Sequence, residues 1–213
     1  MQTDSLIQRL CKGNKDYQKS GSVELRLKTA KEGQHPYAIV ICCSDSRVIP
    51  EQIFSAGIGE LFVIRVAGNV LDNHQLGSIE YAASHLGCKL IIMLGHTGCG
   101  AVAAAALEGH SEGFVASITD EIRKAIGEER NPNEACRLNV LHGVARIREE
   151  FSKADVRGAI YEIESGEVSW LEDSNSFGLD TMKAVEEGRR IARDSSIQGY
   201  TDMEDLKKTL EQS

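Results

Sequence analysis

The sequence lacks any uninterrupted apolar stretch of about 18 residues, the length a helix needs to cross a bilayer, so no membrane span is expected. It opens on Met1-Gln2-Thr3-Asp4-Ser5 without the basic start and apolar run of a secretory leader, and none is expected. It lacks an excess of positive charge. With 24 Lys and Arg against 32 Asp and Glu, the net charge of −8 argues against an extended nucleic-acid footprint. No internal repeat or low-complexity tract is visible. Six cysteines (Cys11, Cys42, Cys43, Cys88, Cys99 and Cys136) are too few over 213 residues for a disulfide framework. Metal binding or simple burial in a reducing, cytoplasmic setting is the expectation for them, with burial the role of Cys11, Cys88 and Cys136. The remaining composition, 41% hydrophobic and 26% charged, is that of an ordinary globular protein.

The order of patterns along the chain implies an α/β fold. Apolar positions over 4–19 and 23–31 suggest two N-terminal helices, a helical arm covering 1–33. Tyr37 to Cys42, Leu61 to Val66 and Leu90 to Leu94 are continuous apolar runs of strand length. Such runs mark parallel strands covered by helices on both faces. Helical spacing returns in Gly77–Leu86, Gly98–Leu107, Val115–Ile126 and Glu134–Phe151. Val156–Ile163 and Val168–Leu171, separated by Ser165-Gly166-Glu167, read as a closing hairpin. The expected architecture is a mostly parallel central sheet flanked by helices, a single domain over 1–172. Residues 173–213 turn polar and are expected to form a C-terminal extension, helical or partly disordered.

Two short clusters carry chemistry. Cys43-Ser44-Asp45-Ser46-Arg47 stands at the exit of the first strand, where a two-residue period puts Cys43, Asp45 and Arg47 on one side. Gly95-His96-Thr97-Gly98-Cys99-Gly100 stands at the exit of the third. In open α/β sheets, ligands bind outside the carboxyl ends of the strands. Two thiolates and an imidazole suit tetrahedral zinc and leave a fourth position free. Asp45 can close that position, or Arg47 can hold it away through paired charge-assisted hydrogen bonds. Cys42, on the opposite side by alternation, is assigned to the core. His35, His74, His85, His110 and His142 lack partners at ligand spacing and are read as surface or core residues. Trp170 is read as core or interface.

Together, Cys43-Ser44-Asp45-Ser46-Arg47-Val48, Gly95-His96-Thr97-Gly98-Cys99-Gly100 and Glu60 to Asn69 resemble the β-class carbonic anhydrases, over roughly residues 25 to 171. The resemblance implies a zinc lyase in which hydroxide on zinc hydrates CO2 to bicarbonate and a proton. It implies Cys43, His96 and Cys99 as metal ligands, with Asp45 and Arg47 as the catalytic dyad. Asp45 would be the fourth ligand in a closed state. It further implies the plant-like subgroup, in which Gln34 binds substrate, Phe62 and Tyr81 line the pocket, and the Gly100 amide faces substrate. Ala67 stands where a larger aliphatic residue is usual. Val40 replaces the tryptophan of a bicarbonate-regulated subgroup, so that regulation is not expected. A homodimer or homotetramer, with the active site at the dimer interface, is implied as well. Two alternatives stay open: hydrolysis of carbonyl sulfide or carbon disulfide on the same zinc, and a non-catalytic structural or sensory zinc protein.

Overall fold

The computed structural model describes residues 3–19, 22–107 and 111–171. The extension expected over 173–213 lies outside the described residues. Helices α1 (Thr3–Gln18) and α2 (Val23–Glu32) come first, and neither buries a residue. Leu6, Ile7, Leu10 and Leu27 are all exposed on them. Arg26 of α2 reaches back to the end of α1, donating to the carbonyls of Tyr17 and Gln18 and lying over the Tyr17 ring.

Strand β1 (Ala38–Cys42) is an interior strand of the sheet and is buried at every position. It pairs in parallel with β2 (Leu61–Arg65) on one side and β3 (Leu90–His96) on the other. Parallel β4 (Asp155–Tyr161) follows β3, and antiparallel β5 (Val168–Trp170) closes the edge, giving the order β2-β1-β3-β4-β5. The chain leaves β1 for β2 on one side and later returns to β3 on the other. The crevice between β1 and β3 is therefore the point where strand order reverses, the usual place for a site in such sheets.

The two faces of β1 enter different cores. Ile39 and Ile41 pack with Ile79, Met93, Val140 and Ile147, under α4 (Asn73–His85) and α7 (Pro132–Glu150). Ala38, Val40 and Cys42 pack with Val48, Ile92 and Leu94 on the other face. That face is covered in part by Ile53 of the short α3 (Pro50–Ile53) and by Phe54, which meets Trp170 ring to ring. Trp170 itself is half exposed. A third cluster, around α5 (Gly100–Ala106) and α6 (Phe114–Ile126), takes in Cys43 and Cys99.

Three features went unread in the sequence. They are α3, the 3-10 turn Ala67–Asn69 after β2, and the true start of α4. That start is a capping box: Asp72 accepts from the His74 amide, and Gln75 reaches back to the Asp72 amide. One cysteine departs from expectation. Cys88 and Cys136 are buried, but Cys11 is exposed, and among the described residues nothing buries any position of α1.

Candidate metal centre

Cys43 follows the last residue of β1, and His96 is the last residue of β3. Because Cys42 pairs with Leu94 in register, the two strands end side by side. A tight turn through Gly98, with φ +66°, then brings Cys99 back as the N-cap of α5. The ligand atoms of Cys43, His96 and Cys99 lie within 4.8 Å of one another, and all three residues are buried. Strand alternation does not extend past Cys42. Residues 46–47 form a turn, with the Val48 amide on the Asp45 carbonyl, so Asp45 and Arg47 are placed by that turn and not by a strand period.

The donor set fits zinc. The two sulfurs are 3.9 Å apart. Two Zn–S bonds of about 2.3 Å at a tetrahedral angle need about 3.8 Å between sulfurs. Nδ1 of His96 lies 3.0 Å from the Thr97 carbonyl. A carbonyl only accepts, so Nδ1 carries the proton and Nε2 offers its lone pair. That Nε2 is buried and has no hydrogen-bond partner. An orphaned imidazole nitrogen beside two sulfurs is what a metal site requires and what a packed core avoids.

The electrostatics agree. The Cys43 thiol is pulled down, first by the hydrogen bond from Cys99 and against its burial, with the Gly68 amide helping. Cys99, which supplies that proton, is pushed the other way by the same bond and by burial. One proton is shared between two sulfurs, and a divalent cation can replace it. Cys42 is pushed up to about 12, chiefly by burial, and faces the opposite core, so it is a neutral structural thiol.

Beside the sulfurs stands the dyad. Arg47 grips both Asp45 oxygens, Nε to Oδ1 at 3.0 Å and Nη2 to Oδ2 at 2.7 Å, and its amide adds a third bond at 2.9 Å. This side-chain and amide grip holds the Asp45 carboxyl well below the usual carboxylate range. Nη2 also reaches the Gly98 carbonyl at 3.4 Å, tying the dyad to the loop that carries Cys99.

Several supporting residues were not singled out from sequence. Arg65 donates to the carbonyls of Cys43 at 3.2 Å and Asp45 at 2.6 Å, fixing the loop between them. The Gly68 amide donates to Cys43 Sγ at 3.3 Å. Thr97 joins the loop to the hairpin, donating to Glu162 at 2.7 Å and accepting from the Ile163 amide. Cys136 donates to the His96 carbonyl. Gly68-Asn69 after a strand was a readable turn signal. The others carry no local signature, since each acts across a long stretch of sequence.

The residues expected to bind substrate divide into two groups. Ala67, directly before Gly68, and Gly100, directly after Cys99, lie at the metal centre. Phe62 pairs with Ile39, about 10 Å of strand before the Cys42–Arg65 pair, with the sulfurs further still beyond the strand end. Its ring meets that of Tyr81 at 6.2 Å, and Tyr81 stacks on His85. Gln34 precedes β1, near Gly59 at the entry to β2, and so lies at the far ends of these strands. Within one chain, Gln34, Phe62 and Tyr81 do not join the metal centre.

Comparison with known proteins places these features. The family profile for carbonic anhydrase matches residues 38–168. A carbonic anhydrase from Pseudomonas aeruginosa is 33% identical, the match covering 70% of this chain and 79% of that one. One from Mycolicibacterium smegmatis is 46% identical over 105 residues, 47% of this chain. The matches span 51% of the M. smegmatis protein and 41% of a Mycobacterium tuberculosis relative, about half the length of these relatives. Among solved structures, a β-carbonic anhydrase of Aspergillus fumigatus superposes with a TM-score of 0.70 at 27% identity, covering 85% of this chain and 97% of that one. A tetrameric β-carbonic anhydrase of Sordaria macrospora gives 0.69 at 25% identity, covering 79% and 98%.

Proposed function

The chain belongs to the β-class carbonic anhydrase family, and from that premise we propose that it catalyses the reversible hydration of CO2 to bicarbonate and a proton. The observation that carries this is the buried Cys43, His96 and Cys99 triad with its bare imidazole nitrogen, beside an Asp45 already engaged by Arg47. Cys43, His96 and Cys99 would hold zinc. When bound, zinc supplies the Lewis acidity that makes a nucleophilic water available near neutral pH.

The chain's own residues do the rest. Arg47 occupies both Asp45 oxygens, so the carboxylate stays off the metal position and that position stays open. Held ionised, Asp45 keeps a lone pair with which to accept a hydrogen bond from the attacking water and orient it. The Gly100 amide belongs to the first turn of α5, whose N–H groups have no partner within the helix, and it is placed to receive a substrate oxygen. Ala67 leaves room for a small apolar substrate. Two thiolates donate more charge than imidazoles do, which weakens water acidification. The Gly68 hydrogen bond to Cys43 works against that.

We assign the plant-like subgroup on Gln34, Phe62 and Tyr81, and the position of these residues supports a site shared between two copies. Phe62 lies well down β2 from the metal centre, with Tyr81 of α4 against it and Gln34 before β1, so a second copy would bring them to a centre. The exposed apolar residues of α1 and α2 supply surface for such a homodimer or for a tetramer. No described helix is long and apolar enough to cross a membrane. The cysteine usage fits a cytoplasmic enzyme.

The test is oxygen-18 exchange between CO2 and water, followed by mass spectrometry on zinc-quantified protein. Sulfide release from carbonyl sulfide is measured beside it. Rapid, zinc-dependent exchange with little sulfide is expected. Sulfide release without exchange would move the assignment to a hydrolase of CO2 analogues, and bound zinc with neither would leave a structural zinc protein.

A further inference from the structure

Asn139 is the one buried polar side chain of α7 whose role the fold alone does not explain. It is 5% exposed, on a helix face otherwise made of Ala135, Cys136, Val140, Gly143 and Val144. Its Nδ2 crosses to the Gly68 carbonyl at 2.9 Å, between residues 71 apart in sequence. At its other end, Gly68 donates its amide to Cys43 Sγ. Gly68 is thus gripped from both sides, by a metal-ligand sulfur and by Asn139.

The local backbone makes this grip consequential. Gly68 takes φ +66° and Asn69 φ +44°, two left-handed residues in succession, both buried. Such a turn persists only where its surroundings over-determine it. A Cβ on Gly68 would come within 2.6 Å of Ile122 Cδ1 and 3.1 Å of the Ala101 Cβ, so a side chain there would have to displace Ile122 as well as hold a strained backbone. Without a donor from Asn139 the Gly68 carbonyl would be buried unpaired, and the turn would relax by rotating Gly68. That rotation carries the amide away from Cys43.

We propose that Asn139 is a positioning residue for the metal centre, acting through Gly68 to fix the amide hydrogen bond on Cys43 Sγ. This rests on the zinc reading given above. An N–H bond to a thiolate withdraws charge from the sulfur. It therefore tempers the charge the sulfur gives the metal, which favours an acidic water, and it also fixes the sulfur at the metal position, on which affinity depends. Hydrogen bonds one step outside the ligand shell govern metal affinity as well as ligand electronics.

The test uses Asn139→Leu, which removes the donor, and Asn139→Asp, which sets an acceptor against the Gly68 carbonyl. Asn139→Ser is the milder variant should those fold poorly. Ile147→Ala, a core truncation about two turns further along the same helix, controls for general loss of packing. Zinc affinity is read by competition with a chromophoric chelator. The sulfur-to-cobalt charge-transfer band is read on the cobalt-loaded proteins. The Asn139 variants are expected to bind zinc about tenfold more weakly or worse, to shift the band to longer wavelength, and to move the midpoint of the CO2-hydration pH profile upward. Ile147→Ala should leave the band in place. Folded Asn139 variants with native affinity and band position would overturn the proposal, as would an equal shift in Ile147→Ala. A native protein that takes up neither zinc nor cobalt would instead overturn the metal reading on which it rests.

Discussion

Adding one methyl group at Gly95 tests whether the closeness of α7 to β3 holds His96 in place. A Cβ built at Gly95 lies 2.6 Å from Val140 Cγ2 and 2.9 Å from Ile160 Cδ1. Carbon atoms prefer 3.5–4.0 Å, so roughly 1 Å must be found on both sides. Ile160 Cδ1 is the end of a flexible chain and can turn away. Val140 is β-branched, on a helix, and fully buried, so it has no second rotamer to adopt. Overpacking of this kind costs about 1–3 kcal/mol, a large part of the stability of a domain. Val140→Ala alone removes two methyl groups and costs about 2 kcal/mol through lost burial and a cavity. In the double variant, the alanine at 95 occupies part of the space that Val140 vacates. The two changes should therefore cost about 1 kcal/mol or more less than their sum. Urea denaturation of the metal-free single and double variants measures this. Gly95→Ala should also weaken zinc binding, since His96 is the next residue. Simple additivity, or a Gly95→Ala that costs nothing, would refute the packing argument.

Arg47→Ala frees Asp45 to approach the metal position, and CO2 hydration at neutral pH should fall about tenfold or more. An unchanged rate would show that the dyad does not hold the position open. The Asp45 carboxyl is depressed in the fold, so its contribution to stability is present above the unfolded value of about 3.9 and is lost as pH falls through the folded one. The stability gap between wild type and Arg47→Ala should thus be widest near neutral pH and close in acid. A gap constant from pH 2 to 7 in urea midpoints would contradict this. Iodoacetamide with mass spectrometry should label Cys11 first in the zinc-loaded protein. Cys88 and Cys136, with thiols raised by burial, should react only on unfolding, and labelling as fast as Cys11 would be the contrary result. If the pocket is shared between copies, mixing inactive Cys99→Ser with inactive Gln34→Ala should restore about a quarter of the wild-type rate, one intact site in half of the dimers. No recovery after subunit exchange would place Gln34 with its own metal centre.

The sheet was legible because its strands are buried on both faces. Ala38 to Cys42 and Leu90 to Leu94 have no polar residue to obscure them, and alternation assigned Cys42 to the core, where it packs with Val40 and Leu94. The same rule failed two residues later, because the chain leaves the extended conformation at Cys43 and a turn then sets Asp45 and Arg47. The ligand triad was readable as two short motifs at strand exits. The hydrogen bonds that aim it were not. Gly68 to Cys43, Asn139 to Gly68 and Arg65 to the Cys43 carbonyl join residues brought together by the fold, and no spacing rule predicts them. The start of α4 was readable, since Asp72 and Gln75 stand at capping-box spacing. Cys11 was misjudged because an amphipathic helix reads as buried even where the described residues leave it exposed.

The central claim, that Cys43, His96 and Cys99 form a zinc centre that hydrates CO2, is tested most directly by stopped-flow hydration on metal-quantified protein beside Cys99→Ser. One zinc per chain, with activity that depends on it and is lost in the variant, is the predicted result. Stoichiometric zinc with no CO2 hydration at any pH would contradict it.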